Sequence, residues 1–304
     1  MQGARNSGIY GCLEAGGTKF VCALADAGGR ILAEARLATQ DPGSTLAGAC
    51  DFLRQRFAAL GAPAAIGIAS FGPVELDKTS VHYGCIGKTP KAGWSGVDIV
   101  GALAREFSCP VGFDTDVNAA AMAEHRWGAA RGVENLVYIT VGTGIGGGVM
   151  VRGVPLHGLM HPEIGHIRPR RHPLDADFTG VCPFHGDCLE GLASGPAIVA
   201  RCGSELQALP AENPQWDIEA DYLAQLCAHL VLTVSPQRIV LGGGVMSQPR
   251  LLAPIRRGLL EWLGGYIDRA EILSNVDRYL VPAALEQRAG VLGALVLALE
   301  AGTP

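Results

Sequence analysis

The chain has 304 residues, enough for about two domains, and is 48% apolar and 17% charged. That balance sustains a sizeable core and excludes a disordered chain, while a net charge of -5 argues against a nucleic-acid-binding surface. No uninterrupted run of about 18 apolar residues predicts a membrane span, and residues 1–8 are too short and polar for a signal peptide, so the cytoplasm is the expected compartment. Nine cysteines, an odd count in a chain of this kind, argue against a disulfide framework. Cys12, Cys22, Cys50, Cys109 and Cys227 sit among apolar neighbours and read as small buried hydrophobes.

In chain order, residues 9–13 form an apolar run that Glu14-Ala15-Gly16-Gly17-Thr18-Lys19 breaks. Residues 20–25 resume it, Asp26-Ala27-Gly28-Gly29 turns, and 30–38 alternates as a third strand would. Residues 44–60 carry helical spacing, with Leu46, Ala49, Leu53, Phe57 and Leu60 near one face and Ser44 placed to cap it. A short buried strand follows at 65–69, and a helix is predicted over 117–127. The second half repeats the theme: a β-branched and aromatic run at 136–141, a break at Gly142-Thr143-Gly144-Ile145-Gly146-Gly147, a resumed run at 148–151 and a turn at Arg152-Gly153. Residues 238–241 form a strand ending in Gly242-Gly243-Gly244, and 288–300 is an apolar helix expected to return to the first lobe.

A strand, a Gly/Thr turn and an antiparallel strand thus open each half, which predicts an internally duplicated α/β protein. The expected division is a small N-terminal lobe, 1–117 with the helix at about 288–304 added to it, and a large lobe, 118–287. Two such lobes would face each other across a cleft able to enclose a nucleotide and a second substrate.

Three glycine-rich signals compete for interpretation. Gly87-Lys88-Thr89 resembles the end of a P-loop, but the glycine that motif needs five positions earlier is His82. Gly142-x-Gly144-x-x-Gly147 fits the dinucleotide fingerprint in letters, yet that fingerprint must open a helix, and Val149-Met150-Val151 reads as a strand. Gly242-Gly243-Gly244 alone is uninformative. Together, the turns at Glu14–Lys19 and Gly142–Gly144 occupy equivalent hairpin positions. Their exposed N–H groups and threonine hydroxyls suit two phosphate loops, with an ordinary pair of hairpin turns as the alternative.

Phe113-Asp114-Thr115-Asp116-Val117-Asn118 precedes the predicted helix. A helix start uses one aspartate as cap or dipole partner, and two exceed that need. A phosphoryl-transfer enzyme needs a carboxylate within hydrogen-bond reach of the attacking hydroxyl, so capping and catalysis are both open, one aspartate serving each. Further on, His166, Cys182, His185 and Cys188 read as His-x15-Cys-x2-His-x2-Cys, a spacing that suits a closed structural Zn²⁺ site. A Cys182–Cys188 disulfide is the alternative, and His157, His161 and His172 compete for the distant ligand position.

These elements, in this order from about residue 9 to 300, resemble the ROK family of sugar kinases and repressors: Gly16-Gly17-Thr18-Lys19, Thr115-Asp116-Val117-Asn118, Gly142-Thr143-Gly144, Glu163-Ile164-Gly165-His166, Cys188-Leu189-Glu190 and Leu241-Gly242-Gly243-Gly244. The resemblance implies the actin-like, ribonuclease H-like ATPase fold with two lobes. It implies Asp116 as general base. It implies a sugar bound by Thr89, Lys91, Thr115, Asp116, Glu163, His166 and Glu190. It implies ATP held by Gly16, Gly17, Thr18, Lys19, Thr143, Gly144, Pro196, Gly242, Gly243 and Gly244, with Mg²⁺ on the phosphates. It makes His166 the first of four zinc ligands, with Cys182, His185 and Cys188, and implies a homodimer.

Departures from the family pattern narrow the reading. Glu14 replaces the usual Asp, His185 replaces a thiolate, Thr115 replaces the common Asn, and Thr89-Pro90-Lys91-x-x-Trp94 replaces Thr-Pro-Asn. With His161-Pro162 before Glu163, these resemble the bacterial fructokinase branch. The expected reaction is transfer of the ATP γ-phosphate to the 6-hydroxyl of fructose, with lobe closure on the sugar excluding water. A glucokinase, mannokinase or broad hexose kinase is the alternative acceptor reading. A sugar-responsive repressor would need a DNA-binding domain before Glu14, and only 13 residues precede it.

Overall fold

The computed structural model describes residues 8–303; the first seven residues, part of the stretch read above as no signal peptide, lie outside them. The chain forms two compact units, the first running to Ala123 and including His157–His161 and the chain from Arg288, the second comprising Glu124–Leu156 and Pro162–Gln287.

In unit 1, β1 (Ile9–Ala15) pairs antiparallel with β2 (Lys19–Asp26), which pairs antiparallel with β3 (Ile31–Ala38). After α1 (Pro42–Leu60) the chain returns as β4 (Pro63–Ser70), parallel to β1, and after α2 (Ile99–Glu106) as β5 (Val111–Thr115), parallel to β4. The order is β3-β2-β1-β4-β5. Parallel neighbours need crossover helices, and α1 and α2 supply them. β1 and β2 are buried on both faces and read as apolar runs, whereas edge strand β3 alternates half-buried and exposed residues. Leu13, Phe20, Leu24, Leu53, Ile66 and Trp94 centre the core.

The cap of α1 differs from the expectation. Pro42 occupies the first turn, and Asp41, not Ser44, is the N-cap; its carboxylate accepts from the Ser44 N–H at 2.9 Å. Proline is preorganised for the first helical turn and moves the start upstream of Ser44.

α3 (Asp116–Trp127) leads into unit 2, where β6 (Leu136–Val141), β7 (Ile145–Val151) and β8 (Val154–Pro155) form an antiparallel meander. There follow α4 (Leu189–Ala193), α5 (Gly195–Cys202), α6 (Gln215–Thr233) and β9 (Arg238–Gly242). Last come α7 (Leu252–Leu263), the short α8 (Ala270–Leu273) and α9 (Val276–Tyr279), and β10 (Leu280–Pro282). β9 lies parallel to β6, and β10 parallel to β9, giving β10-β9-β6-β7-β8. Read from the other edge, this is the order and strand sense of unit 1. The duplication suspected from two hairpins therefore extends through both five-stranded sheets, and the fold is the actin-like, ribonuclease H-like one. Only Gly142–Gly144 turns between the two antiparallel strands; β7 resumes at Ile145, earlier than expected, with Gly146 and Gly147 paired to Thr140 and Ile139, so the glycines open a strand rather than a helix, which disposes of the dinucleotide-fold reading.

α10 (Ala289–Ala301) belongs to unit 1 and lies on β1, β4 and β5. The approach is close: a Cβ at Gly67 would sit 1.8 Å from the Ala294 carbonyl oxygen, and one at Gly112 would sit 2.2 Å from that of Leu297. Gly67→Ala should therefore lower stability by about 2–3 kcal/mol, as overpacking against backbone does. A urea-unfolding midpoint that matches the wild type would show that α10 can shift without cost.

Candidate active site

In unit 1 the β1–β2 turn is closed by the Gly16 N–H donating to the Lys19 carbonyl at 3.0 Å, and Gly17, Thr18 and Lys19 project into solvent. Glu14 lies one residue before the turn begins. Its Oε2 is buried with no hydrogen-bond partner among the described residues, and its carboxylate abuts Gly290 at the start of α10, where a Cβ would come within 2.4 Å of it. Burial pushes its pKa up, opposed by the charges of Lys19 and Arg36. A buried carboxylate oxygen beside the exposed Gly17-Thr18-Lys19 turn has the donor chemistry a hard cation such as Mg²⁺ prefers, so the residues fit the ion that accompanies a nucleotide.

The loop Thr89–Trp94 is anchored at both ends. Thr89 N–H donates to Ser95 Oγ at 3.1 Å, Lys91 Nζ donates to the Thr39 carbonyl at 3.2 Å, and Trp94 Nε1 donates to the Gln40 carbonyl at 2.9 Å. Trp94 is fully buried, with its ring near those of Phe20 and Phe71 at centroid distances of 5.4 and 5.5 Å.

At the β5–α3 junction the two aspartates separate, and neither is the cap. Thr115 Oγ1 accepts from the Asn118 N–H at 3.1 Å and takes that task. Asp114, 2% exposed, accepts from the Thr115 N–H and from Asn118 Nδ2, both at 2.7 Å, and lies 2.9 Å from His157 Nε2. That contact with Asp114 raises the His157 pKa. Asp116 opens α3, and one carboxylate oxygen accepts from the Val117 N–H at 2.9 Å. Thr115, expected among the sugar contacts, is 2% exposed, and its hydroxyl oxygen accepts the Asn118 N–H, which holds the Asp116 turn.

In unit 2 the Gly142–Gly144 turn, the Gly242–Gly244 turn and the start of α5 converge. The Gly142 N–H donates to the Gly144 carbonyl at 2.9 Å, and the Gly142 carbonyl accepts from the Gly195 N–H, at the start of α5, at 2.8 Å. The Gly242–Gly244 turn comes alongside, with the Gly244 nitrogen 3.9 Å from where a Gly142 Cβ would lie. Pro196 is exposed in the first turn of α5, and the helix N-terminus adds oriented N–H groups to those of the two turns. The turn is gripped from behind by Glu190, whose Oε2 accepts from the Ile145 N–H at 3.0 Å. A Cβ at residue 144 would stand 2.6 Å from that oxygen, so the glycine lets the carboxylate lie close against the turn.

Glu190 leads to the rest of the site. Glu163 stands at the start of a 3-10 turn, Ile164–His166, and its carbonyl accepts from the His166 N–H at 3.0 Å. Crowding that strips water from it, and then the charge of Glu190, push the Glu163 pKa up to about 7. Its outer surface stays in solvent, which screens the effect. His166 Nδ1 lies 3.4 Å from Cys188 Sγ and 3.9 Å from Cys182 Sγ, and His185 Nδ1 lies 3.7 Å from Cys182 Sγ. The four ligand atoms all fall within 4.8 Å of one another. A tetrahedral zinc with ordinary bond lengths sets nitrogen–sulfur edges of about 3.5 Å, so these side chains fit Zn²⁺.

Backbone geometry explains the cluster. Cys182 and Gly186 exchange two backbone hydrogen bonds, a tight knuckle that brings Cys182, His185 and Cys188 together, and the Leu189 N–H donates to the Ile167 carbonyl, tying the knuckle to His166. Cys182 and Cys188 are thiols, not a disulfide. The competing histidines are engaged elsewhere. His161 Nε2 accepts from the Val74 N–H, and His172 Nδ1 accepts from the Leu174 N–H.

Two features of the site had no clear signal in the sequence. His157, considered only as a metal ligand, is instead the partner of Asp114 across 43 residues. Thr39 was not singled out, yet it bonds to both unit-1 loops.

The family model described as "ROK family" matches residues 10–301. The chain is 47% identical to the fructokinase of Zymomonas mobilis, over 96% of this chain and 97% of that one. It is 41% identical to the fructokinase of Lactococcus lactis, over 95% and 96% of the two chains. Its structure is similar to the ROK hexokinase of Thermus thermophilus, with a TM-score of 0.77 and 28% identity over 96% of this chain and 98% of that one. The chain belongs to the ROK family.

Proposed function

We propose that the protein is an ATP-dependent fructokinase that transfers the γ-phosphate to the 6-hydroxyl of D-fructose, giving fructose 6-phosphate in the cytoplasm. The observation that carries the acceptor is the full-length likeness to two fructokinases at 47% and 41% identity. The kinase chemistry is supported independently by the convergence of Gly142–Gly144, Gly242–Gly244 and the start of α5 in unit 2, and by the exposed Gly17-Thr18-Lys19 turn in unit 1.

Phosphoryl transfer asks a protein mainly for positioning and for charge stabilisation. The N–H groups of the unit-2 turns and of α5, with Thr143 and Lys19, would hold the phosphate oxygens and stabilise the charge that develops on them. When bound, Mg²⁺ neutralises phosphate charge, and Glu14 is the carboxylate on offer to it. Asp116 would accept the proton of the sugar hydroxyl as it attacks. Glu163 and Glu190 would accept hydrogen bonds from other sugar hydroxyls, and Thr89 and Lys91 would donate to the acceptor. With Nδ1 turned to zinc, His166 would carry its proton on Nε2 and present that N–H to the sugar. The zinc would hold the Glu163–Glu190 wall in shape without taking part in the chemistry.

The test is a coupled ADP-release assay across fructose, glucose, mannose and N-acetylhexosamines. The highest kcat/KM is expected with fructose. A higher value with glucose would overturn the acceptor and leave the kinase; no ADP release with any hexose would overturn both.

A further inference from the structure

Thr39, the residue after β3, is 7% exposed and has three polar groups that all bond to loops remote in sequence. Its N–H donates to the Thr18 carbonyl at 3.0 Å, and its Oγ1 donates to the Gly16 carbonyl at 2.7 Å. Its carbonyl accepts from Lys91 Nζ at 3.2 Å. The next residue continues the pattern: the Gln40 carbonyl accepts from Trp94 Nε1 at 2.9 Å, and the Gln40 N–H donates to Thr45 Oγ1 at 3.0 Å, pinning the strut to α1. The turn that carries Gly17, Thr18 and Lys19 and the loop that carries Thr89 and Lys91 are thus stitched to one dipeptide. Both loops have exposed tips.

We infer that Thr39 is a positioning residue that couples the nucleotide turn to the acceptor loop, so that occupancy of one loop favours the bound arrangement of the other. This rests on the proposed fructokinase reading, in which Gly16–Lys19 hold nucleotide and Lys91 meets the sugar. Two carbonyls of the nucleotide turn are fixed on the Thr39 side, which orients the intervening peptide planes. Any tilt of that turn moves the Thr39 peptide and with it the acceptor of Lys91, redirecting the remaining ammonium N–H bonds. Trp94 transmits the same constraint at the far end, since it is wedged against Phe20, which directly follows Lys19. Coupling of this kind is reciprocal: the factor by which sugar tightens nucleotide equals the factor by which nucleotide tightens sugar.

Thr39→Val keeps the shape and both backbone bonds and removes only the hydroxyl bond to Gly16; Thr39→Ser restores a hydroxyl. A non-hydrolysable ATP analogue with Mg²⁺ is titrated calorimetrically into each protein, with and without saturating fructose. In the wild type and in Thr39→Ser, fructose should tighten the analogue by about fivefold or more, and in Thr39→Val by less than about twofold. An unchanged ratio in Thr39→Val, whatever its Tm, would reduce Thr39 to a structural stitch and overturn the inference, as would loss of the ratio in Thr39→Ser or its absence from the wild type. In the wild type, fructose alone should slow amide exchange at residues 16–19, and no slowing refutes the coupling even if a variant fails to fold. A wild type that turns over a different hexose refutes the acceptor reading alone, and the ratio is then read with that hexose.

Discussion

Asp116→Asn should lower kcat by about 10²–10⁴-fold, the usual contribution of a positioned general base, while the KM values for ATP and fructose stay within a few-fold and Tm is nearly unchanged. The reasoning is local. Capping of α3 falls to Thr115, and the buried network falls to Asp114, which is bound by the Thr115 N–H, Asn118 and His157. Asp116 accepts a backbone bond from Val117, which an asparagine oxygen can also accept. The substitution therefore removes a negative charge and proton affinity from a mount that stays intact. Loss of charge at a helix N-terminus costs at most about 1 kcal/mol in dipole energy. Such a cost is small against the catalytic term, so kcat and Tm separate the two roles. A kcat within threefold of the wild type would remove Asp116 from the chemistry; a large fall in Tm would make it structural.

What was legible in the sequence follows from how far each signal reaches along the chain. The hairpins of both sheets stood out because apolar runs met Gly/Thr turns within a few residues, and β6 was bounded correctly at both ends. α6 was not read. It is buried on nearly every side, so it lacks the polar stripe that reveals an amphipathic helix. The Cys/His cluster was legible because three of its four candidate ligands lie within seven residues, 182–188. The histidine at the distant position was settled only by family resemblance until the knuckle geometry showed which ring faced it. The division of labour between Asp114 and Asp116 was illegible, because it depends on His157, 43 residues away. The Thr39 strut was illegible for the same reason, with partners 23 and 52 residues distant. Glu14 was read only as a departure from the family's usual Asp; the fold shows that its carboxylate meets Gly290, far along the chain.

Removing zinc should leave unit 2 partly folded rather than unfolded, and it should be visible without any assay of activity. Metal analysis of the purified protein should give about one Zn²⁺ per chain, and stripping it should lower Tm by about 10 °C. The size follows from linkage: a ligand present at about 1,000 times its Kd adds about 4 kcal/mol, and in a unit of this size each kcal/mol moves Tm by about 2–4 °C. The core of unit 2, built on Ile139, Tyr222, Leu223, Ile239 and Leu259, does not involve the knuckle and should survive. Within the excursion between His166 and Cys188, the two halves are held differently. Residues 170–178 are tied by protein contacts: Arg201 makes a buried bidentate pair with Asp175 at 2.7 and 3.1 Å, Tyr222 donates to the same carboxylate, and Gln225 bonds the backbone of Arg170. Residues 181–187 bury little apolar surface, since Val181, Pro183 and Phe184 are exposed, so the ligand bonds take the place of a core there. Hydrogen exchange should therefore accelerate at 181–188 on chelation and change little at 170–178 or in α4, whose Leu189 and Leu192 belong to the core. The same loss should raise the KM for ATP as well as for fructose, because Glu190, two residues after Cys188, holds the Ile145 N–H behind the Gly142–Gly144 turn. Cys182→Ser should reproduce the exchange pattern with zinc present in the buffer. A protein that contains no zinc as purified, or one whose exchange at 181–188 ignores chelation, would show that the knuckle stands on its backbone bonds alone.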